Sequence, residues 1–491
     1  MTAAEHMTDR KERMAAANQR ASEELHINET PTDSGNAYRF ARLFKDKVKY
    51  VPEKKSWIIW NGKLWQYDES NQTLDMTLTV CTDVDNYLLE ISDKKEKIEW
   101  TNWARTSKSL TRRKSMLELA ATLREIVVYE KDLDIHPYLF NFVTCTLNFE
   151  PPRICFSHNS DNNITKICPT PYEPNAKSRL LDEFLDRFMP DKEERIWNLT
   201  SLAVAAFTGR NMERKLLMLL GPSSTGKSAL MELMQASLGY DYTAAVNASV
   251  FRGNMDDKPR PDLVRASDSQ FIMAFEASEQ WDLHVDHIKR MTGGDPLVMR
   301  GMKSDSMKER IAKFTPCIIA NVPPKIRGSD NAIRRRLHVL LMDQTVDPVE
   351  DDGKKRIELV NNLECRIAFI ALLVQLYVES DGILPMNVPP RIAAKTMEVF
   401  AALDSVDEII KMLIEEAIII HDTDIPASHC IKTMDLHKAI CKILNSQHIR
   451  DVPGSKHFSQ RIQELGYEVK SSGGSRVVGY RQGDSFYAYM M

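Results

Sequence analysis

Four short and almost wholly apolar runs stand out in the middle of the chain, each followed or preceded by polar residues. A continuous apolar run of strand length predicts a strand buried on both faces, as in a parallel sheet. Helical patterns accompany these runs, so the region predicts an α/β core. The runs are Leu216–Leu220, Phe271–Phe275, Thr315–Ala320 and Leu337–Leu341.

In the region before this core, apolar and polar residues alternate with other spacings. Residues 72–130 predict helices, residues 131–175 predict short strands and turns, and residues 178–208 hold two amphipathic helical patterns. An Asn61-Gly62 pair between two short apolar runs predicts a β-hairpin. Its three tryptophans are expected to form the core of a small sheet rather than a base-stacking platform; they are Trp57, Trp60 and Trp65.

The region after the core begins with a helical pattern over residues 356–418. Two further helical patterns, Met434–Leu444 and Ser455–Leu465, precede a Gly473-Gly474 turn between short strands. Two helices followed by a β-wing predict a winged helix, which contacts DNA or docks a protein. The basic residues placed for DNA contact are Lys456, Arg461, Arg476 and Arg481.

The first apolar run leads into Gly221-x-x-x-x-Gly226-Lys227-Ser228, and a helical run begins at Ala229. In a strand–loop–helix context this spacing indicates a phosphate-binding loop. Backbone N–H groups and the helix N-terminus attract phosphates, Lys227 is expected to reach the β- and γ-phosphates of ATP, and Ser228 to hold Mg²⁺. The predicted nucleotide contacts are Gly221, Pro222, Ser223, Ser224, Thr225, Gly226, Lys227, Ser228 and Ala229.

Two other apolar runs end in polar residues suited to the same reaction. Glu276 follows the second run, where an acid would lie beside Mg²⁺ and the attacking water, and Glu279 is the weaker candidate. Asn321 follows the third run, where a polar side chain can sense the γ-phosphate.

Basic residues frame the end of the core. Three successive arginines, residues 334–336, precede the fourth run, and adjacent cations repel one another by about 1 kcal/mol per close pair in water. That cost indicates an anionic partner, such as the nucleotide of a neighbouring subunit. The Thr292-Gly-Gly-Asp295 turn, with Lys289 before it and Arg300 and Lys303 after it, predicts either a hairpin that contacts phosphates or a plain surface turn.

Charge and cysteine content narrow the possibilities. The net charge is −4, so a nucleic-acid surface must be a local patch. The basic stripe Trp103–Lys114 is either such a patch or a solvated helix face. The eight cysteines include no Cys-x-x-Cys, which indicates reduced thiols in a cytoplasmic compartment. Cys155, His158 and Cys168 lack a clear fourth zinc ligand, and no apolar run is long enough to span a membrane.

The chain resembles superfamily 3 helicases in a set of motifs that follow one another in the same order. They are the phosphate loop, Glu276, Lys289-x-x-Thr-Gly-Gly-Asp295, Asn321 and residues 333–337. More narrowly, the chain resembles the helicase part of phage, plasmid and poxvirus-type primase–helicases. The segment Thr32-Asp-Ser-Gly-Asn-Ala-Tyr-Arg-Phe40 is similar to the opening of the domain that precedes the ATPase in that family. The resemblance covers roughly residues 30–485.

The resemblance implies an AAA+ ring, usually a hexamer, with ATP bound between subunits. Arg336 matches the arginine finger, with Arg335 next, and Arg300 and Lys303 would line a channel around single-stranded DNA. The expected organisation is a tail (1–29), an N-terminal α+β domain (30–175), a helical linker or collar (176–210), the AAA+ core (211–345), a helical segment (346–418) and a winged helix (419–491).

Three departures from the family pattern bear on function. Thr225 replaces the asparagine that often precedes Gly-Lys-Ser, and the Asn-Gly-Val turn expected before the ATPase appears as Thr144-Cys-Thr-Leu-Asn148. Many members of that family carry a catalytic primase domain before this segment, whereas few residues precede Thr32 here, so primer synthesis is expected to need a separate primase or polymerase.

The leading hypothesis is therefore an ATP- and Mg²⁺-dependent replicative DNA helicase of a phage or mobile element, acting on origin DNA in the host cytoplasm. One rival is a primase–helicase with a primer-synthesis site in residues 70–175, for which Asp132, Asp134 and His136 are the candidate ligands. The other is an origin-binding or defence assembly that uses ATP as a switch. The hairpin residues favour translocation over that switch.

Overall fold

The computed structural model describes most of the chain and shows two compact units, residues 1–168 and 169–491. The described residues are 28–208, 211–251, 261–275, 282–294, 296–299, 308–327, 331–345, 353–402, 410, 419–421, 430–446, 458, 462–463, 469–472, 475–478 and 480–482.

Over its described residues, 28–168, the first unit combines four α-helices with two small antiparallel sheets. One sheet has the order β1-β2-β3, and the other has the order β4-β5-β6. The helices are α1 (Asp33–Phe44), α2 (Gln72–Glu90), α3 (Lys94–Ser107) and α4 (Leu110–Ala120). The strands are β1 (Val48–Val51), β2 (Ser56–Trp60), β3 (Trp65–Tyr67), β4 (Leu139–Asn141), β5 (Thr146–Asn148) and β6 (Cys155–Phe156).

The predicted hairpin and its tryptophan core are confirmed. β2 and β3 pair antiparallel with Trp60 opposite Trp65, and the side-chain oxygen of Asn61 accepts from the backbone of Lys63 and Leu64. Trp65 is only 2% exposed, and its indole N–H donates to the Ser160 carbonyl at 2.8 Å. Trp57 packs against the ring of Phe40 on α1. These tryptophans therefore fill a core, as aromatic side chains of small sheets commonly do.

The second small sheet corrects one expectation about the cysteines. Cys145 and Cys155 form a disulfide, whereas their scattered spacing predicted reduced thiols. β5 and β6 are antiparallel neighbours with Leu147 opposite Cys155, and this pairing turns the chain back on itself. A strand register of this kind is non-local, so the spacing of cysteines along the chain does not reveal it. Because Cys155 is bonded to Cys145, it is not available for the zinc site that the sequence already disfavoured.

The second unit is built on a five-stranded parallel sheet in the order β15-β7-β13-β9-β8. The four apolar runs supply all but β8, and each described strand interior is buried, which explains their lack of polar alternation. The strands are β7 (Leu216–Leu220), β8 (Thr243–Asn247), β9 (Phe271–Phe275), β13 (Thr315–Ala320) and β15 (Leu337–Leu341).

Helices cover this sheet, and two separate small strand pairs are formed by the segments between β9 and β15 along the chain. The helices are α5 (Arg179–Phe188), α6 (Lys192–Phe207), α7 (Lys227–Leu238), α8 (Pro261–Ala266), α9 (Val285–Gly293), α10 (Asn331–Arg336), α11 (Lys354–Asn361), α12 (Leu363–Glu379) and α13 (Pro390–Ala402). β10 (Asp282–His284) pairs parallel with β14 (Lys325–Arg327). β11 (Pro296–Met299) and β12 (Lys308–Ile311) form the antiparallel hairpin that the glycine turn predicted.

Helix α6 closes the open edge of the sheet at β15. Asn198 donates to the Leu341 carbonyl at 2.8 Å and accepts from the Leu341 N–H at 3.2 Å, and the Trp197 indole donates to the Val339 carbonyl at 3.0 Å. His338 stacks on Trp197 with ring centroids 4.6 Å apart, and burial lowers the pKa of His338 to about 3. Side chains thus replace the missing neighbouring strand, so the strand that follows the arginines is held firmly.

The C-terminal region, where a winged helix is expected, contains one described helix and two strand pairs. Helix α14 (Thr433–Ser446) and the hairpin of β17 (Val469–Ser472) and β18 (Ser475–Val478) are present, and β16 (Ile419–His421) pairs with β19 (Tyr480–Gln482). Most of the second predicted helix, including Lys456 and Arg461, lies outside the described residues. The winged helix therefore stays a prediction.

Candidate functional site

The phosphate loop leaves β7, which is flanked by β13 and β15, and enters α7. A Cβ atom at Gly221 would lie 1.7 Å from the Met342 carbonyl oxygen, so only glycine fits where the loop passes the end of β15. Gly226 has φ +79°, and a Cβ there would lie 2.8 Å from Cγ of Phe188. The two glycines of the motif are therefore required by close approach and by backbone conformation.

Lys227 is held inside the loop. Its side chain is buried, and Nζ donates to the carbonyls of Gly221 and Pro222, both at 2.6 Å, and lies 3.2 Å from Oγ1 of Thr225. The ammonium group therefore lies within the loop that the motif assigns to phosphate binding. A cation fixed at this point lowers the electrostatic cost of bringing phosphates to the loop.

The other side chains of the loop divide into an exposed and a buried set. Thr225 is 1% exposed, and its hydroxyl donates to the Pro222 carbonyl at 3.0 Å, so the residue that departs from the family pattern has an internal role. Ala229 is also buried. The exposed side chains, which leave the outer surface of the loop open, are Pro222, Ser223, Ser224 and Ser228.

Asn321 lies next to the phosphate loop, as the parallel sheet requires. β13 pairs with β7 so that Ala320 is opposite Leu220, and Asn321 directly follows. Its Nδ2 atom lies 3.4 Å from Oγ of Ser223. Two segments separated by 98 residues thus meet at the carboxyl end of the sheet, where ligands bind in open parallel α/β sheets.

The remaining predicted residues of the core fall partly outside the described chain. Glu276 follows Phe275, which pairs with Ile319 at the same end of the sheet, but Glu276 and Glu279 themselves lie outside the described residues. The same holds for the hairpin tip, including Arg300 and Lys303. Arg476 lies on β18.

The three arginines have different surroundings. Arg335 is exposed, whereas Arg336 is half-buried and donates to the Lys289 carbonyl at 3.1 Å and to Oγ1 of Thr292 at 3.2 Å. The guanidinium of Arg334 lies 5.5 Å from the ring centroid of Phe400. Lys289 is therefore placed on α9, before the hairpin rather than on it.

The basic stripe of the first unit is largely used for internal contacts. Arg112 pairs with Asp33, and Lys108 pairs with Asp85 at 2.7 Å. Arg113 donates to the Thr77 hydroxyl at 2.7 Å. These contacts favour a structural helix face over a DNA-entry surface.

The candidate primer-synthesis residues do not form a ligand cluster within the described residues. Asp134 accepts from the Thr165 N–H at 2.8 Å and from its hydroxyl at 2.5 Å, which fixes a loop. No helix of the described segments is both long and apolar enough to cross a membrane.

Ion pairs that the sequence did not reveal hold the chain after β15, next to the phosphate loop. Arg391, at the start of α13, pairs with Glu194 of α6 at 3.1 Å and with Asp343, the residue after the carbonyl that faces Gly221. Burial raises the pKa of Glu194, and the nearby Arg391 opposes that rise. No local pattern marks these residues, because their partners lie far away along the chain.

Comparison with known proteins places these features in context. A family model described as D5 N terminal like matches residues 37–190. A protein of Acanthamoeba polyphaga mimivirus that is named as a helicase is 25% identical over 218 residues, which are 43% of this chain and 22% of that protein. A protein named as a primase in African swine fever virus is 25% identical over 286 residues, which are 54% of this chain and 29% of that protein.

The chain thus spans less than a third of the length of these viral relatives. Among solved structures, the apo NrS-1 C-terminal region aligns with 91% of this chain and 99% of that one, at 14% identity and a TM-score of 0.45. The chain is therefore related to viral proteins that are named as helicases and primases.

Proposed function

We propose that this chain is an ATP-dependent replicative DNA helicase of a viral, phage or mobile-element type, which assembles as a ring and moves along single-stranded DNA. The observation that carries the proposal is the contact of Asn321 with Ser223, because it joins a polar strand end to the phosphate loop. A phosphate loop beside such a side chain is what hydrolysis of a γ-phosphate needs. The names of the viral relatives point to the same class of enzyme.

The residues of the site would divide the work of hydrolysis. Backbone N–H groups after Gly221 and the N-terminus of α7 hold the phosphates, and Lys227 exchanges its carbonyl partners for phosphate oxygens. Asn321 positions the water or the γ-phosphate. Ser228, whose side chain is exposed, and Glu276 would hold Mg²⁺. When bound, Mg²⁺ neutralises charge that develops on the phosphates.

The partners follow from the same proposal. An arginine from the next subunit completes the site, so a homo-oligomer, in our proposal a hexamer, is the active form. The hairpin β11–β12 would follow the DNA backbone through Arg300 and Lys303, and the C-terminal region would contact origin DNA. A separate primase or polymerase would make primers. We also propose that the ATPase core is of the AAA+ class, that the C-terminal region is a winged helix and that the protein acts in the host cytoplasm.

The rivals have less support. Asp134 is engaged by Thr165, so the primer-synthesis site lacks one of its candidate ligands. An ATP-switched DNA-binding assembly does not need a β-hairpin after the Thr292-Gly-Gly-Asp295 turn, whereas a translocase uses one to grip phosphates.

Replacement of Arg300 and Lys303 together by alanine is expected to uncouple hydrolysis from movement. ATP hydrolysis without DNA should stay near the wild-type rate, because neither residue belongs to the phosphate loop. Stimulation by single-stranded DNA and strand separation should fall at least about tenfold, since two phosphate contacts are lost. A fluorescent fork substrate and a phosphate-release assay measure both quantities on one preparation.

The matched control removes the same charge elsewhere in the unit. Lys192→Ala with Lys355→Ala changes two exposed lysines on α6 and α11. This pair should leave strand separation unchanged. Normal strand separation by the Arg300→Ala, Lys303→Ala protein would show that the hairpin does not drive translocation.

A further inference from the structure

The guanidinium of Arg336 is bound within its own chain. Its Nη1 atom donates to the Lys289 carbonyl at 3.1 Å and to the Thr292 hydroxyl at 3.2 Å, and both residues lie in the C-terminal half of α9. The C-terminal end of a helix carries a partial negative charge that attracts cations. Arg336 therefore lies near the C-terminus of α9, where a cation is favoured.

The acceptor at this site is itself held in place. Thr292 is 1% exposed, and its hydroxyl donates to the Ile288 carbonyl at 2.6 Å, which leaves its oxygen lone pairs for Arg336. Ile288 and Met291 on the same helix are buried. For Arg336 to reach a neighbouring subunit, it would have to abandon two contacts with a fixed helix end.

Arg335 has the opposite character. Its side chain is exposed, and within the described segments no hydrogen bond or ion pair is made by its guanidinium. Its backbone is fixed, because Lys215 Nζ donates to the Arg335 carbonyl at 2.8 Å. A fixed backbone with an exposed, unengaged guanidinium is what an arginine needs to act on an anion outside its own chain.

The Arg336 contact also joins two functional segments. α10 is preceded by β14, which follows the strand end that carries Asn321. α9 is preceded by β10 and leads into the β11–β12 hairpin. β10 and β14 pair in parallel with Leu283 opposite Ile326, and Arg336 makes a second link between the same two segments. The segment from Asn321 to α10 and the segment from β10 to the hairpin are thus joined by two sets of contacts, the β10–β14 pairing and the hydrogen bonds of Arg336.

We propose that Arg336 is a positioning residue that holds α10 against α9 at the base of the β11–β12 hairpin. We also propose that Arg335 is the arginine that reaches the nucleotide of the neighbouring subunit. This assignment rests on the proposed ring ATPase, and it departs from the resemblance, which places the finger at Arg336. Three adjacent cations then have separate uses: Arg335 acts in trans, Arg336 couples, and Arg334 packs near Phe400.

Substitutions at Arg335, at Arg336 and at the Arg336 partner Thr292 test this division in the intact 491-residue chain. Arg335→Ala should lower ATP hydrolysis on the order of 10³-fold, and Arg335→Lys should recover little, because a point charge does not reproduce the planar fork. Arg336→Ala should lower hydrolysis by about tenfold and remove its stimulation by DNA. Arg336→Lys should recover most of both, because an ammonium can also donate to a helix end.

Thr292→Val supplies a test that leaves both arginines in place. It removes one acceptor of Arg336 and should reduce DNA-stimulated hydrolysis by about fivefold, as expected for one lost hydrogen bond. Thr396→Val is the matched control, because Thr396 on α13 makes the same bond to the carbonyl four residues earlier, at 2.7 Å, and does not contact Arg336. The control should behave like the wild type.

Two results would overturn the assignment. The first is ATP hydrolysis by Arg335→Ala at a rate close to the wild type. The second is that Arg336→Lys hydrolyses ATP as slowly as Arg336→Ala while Thr292→Val keeps the wild-type rate. Wild-type protein measured in parallel separates this failure from failure of the proposed function. If the wild-type rate per subunit does not depend on protein concentration, the ring itself is wrong. If that rate rises with concentration while the variants disagree, only the roles of Arg335 and Arg336 are wrong.

Discussion

Lys227→Ala is expected to lower ATP hydrolysis on the order of 10³-fold, because it removes the cation that the phosphate loop encloses. The ammonium is bound by the Gly221 and Pro222 carbonyls at 2.6 Å and is shielded from solvent, so its charge acts on incoming phosphates with little screening. Nucleotide binding should weaken as well. Phosphate release and the fluorescence of a labelled nucleotide measure the two effects.

The control for Lys227→Ala is Lys192→Ala, which removes an exposed lysine from α6 in the same unit. It should leave rate and affinity unchanged. Thermal unfolding of both variants shows whether the loop variant is folded. Hydrolysis by folded Lys227→Ala within a few-fold of the wild type would exclude Gly221–Ser228 as the site of phosphoryl transfer.

Arg39→Ala is expected to destabilise the first unit by about 3–5 kcal/mol, because it breaks a buried ion pair with Glu29, which then keeps its pairing with Arg42. Arg39 is 2% exposed, and its Nε atom donates to Glu29 at 2.9 Å and lies 3.2 Å from Asp83. The guanidinium carbon also lies 5.2 Å from the Trp100 ring centroid and 5.5 Å from that of Tyr87. The substitution removes ion pairs, aromatic contacts and packing together.

Hydrogen exchange read by mass spectrometry is the suitable measurement, because it follows the peptides of one unit in the intact chain. Peptides from α1 to α3 should exchange faster in Arg39→Ala, whereas those of β7 and α7 should not change. Arg105→Ala is the control, since Arg105 is exposed on α3 and should change stability by less than about 0.5 kcal/mol. Unchanged exchange in Arg39→Ala would show that the contacts of Arg39 do not stabilise this unit.

Local patterns made the core predictable. The strand before Gly221, the helix after Gly226 and the strands ending at Phe275 and Ala320 were all predicted from apolar runs and motif spacing, because these features depend on neighbouring residues. The contact between Asn321 and the loop was predictable only in outline, from the rule that parallel strands end at one edge.

Non-local partners were not predictable in the same way. Nothing near Arg336 in the sequence indicates that Thr292 accepts its hydrogen bond, and nothing near Cys145 indicates a disulfide to Cys155. The role of Arg39 within its motif was also hidden, because its acidic partner Asp83 lies on another helix. Such contacts depend on how elements pack, which the spacing of residues along one segment does not encode.

The most direct test of the central proposal is the rate of ATP hydrolysis per subunit, measured against protein concentration with and without single-stranded DNA. A ring with an arginine acting between subunits predicts a rate that rises with concentration as subunits assemble, and rises again when DNA is added. A rate that is the same at every concentration and with or without DNA would contradict the account. The chain would then be a P-loop ATPase that acts as a monomer, and not a helicase.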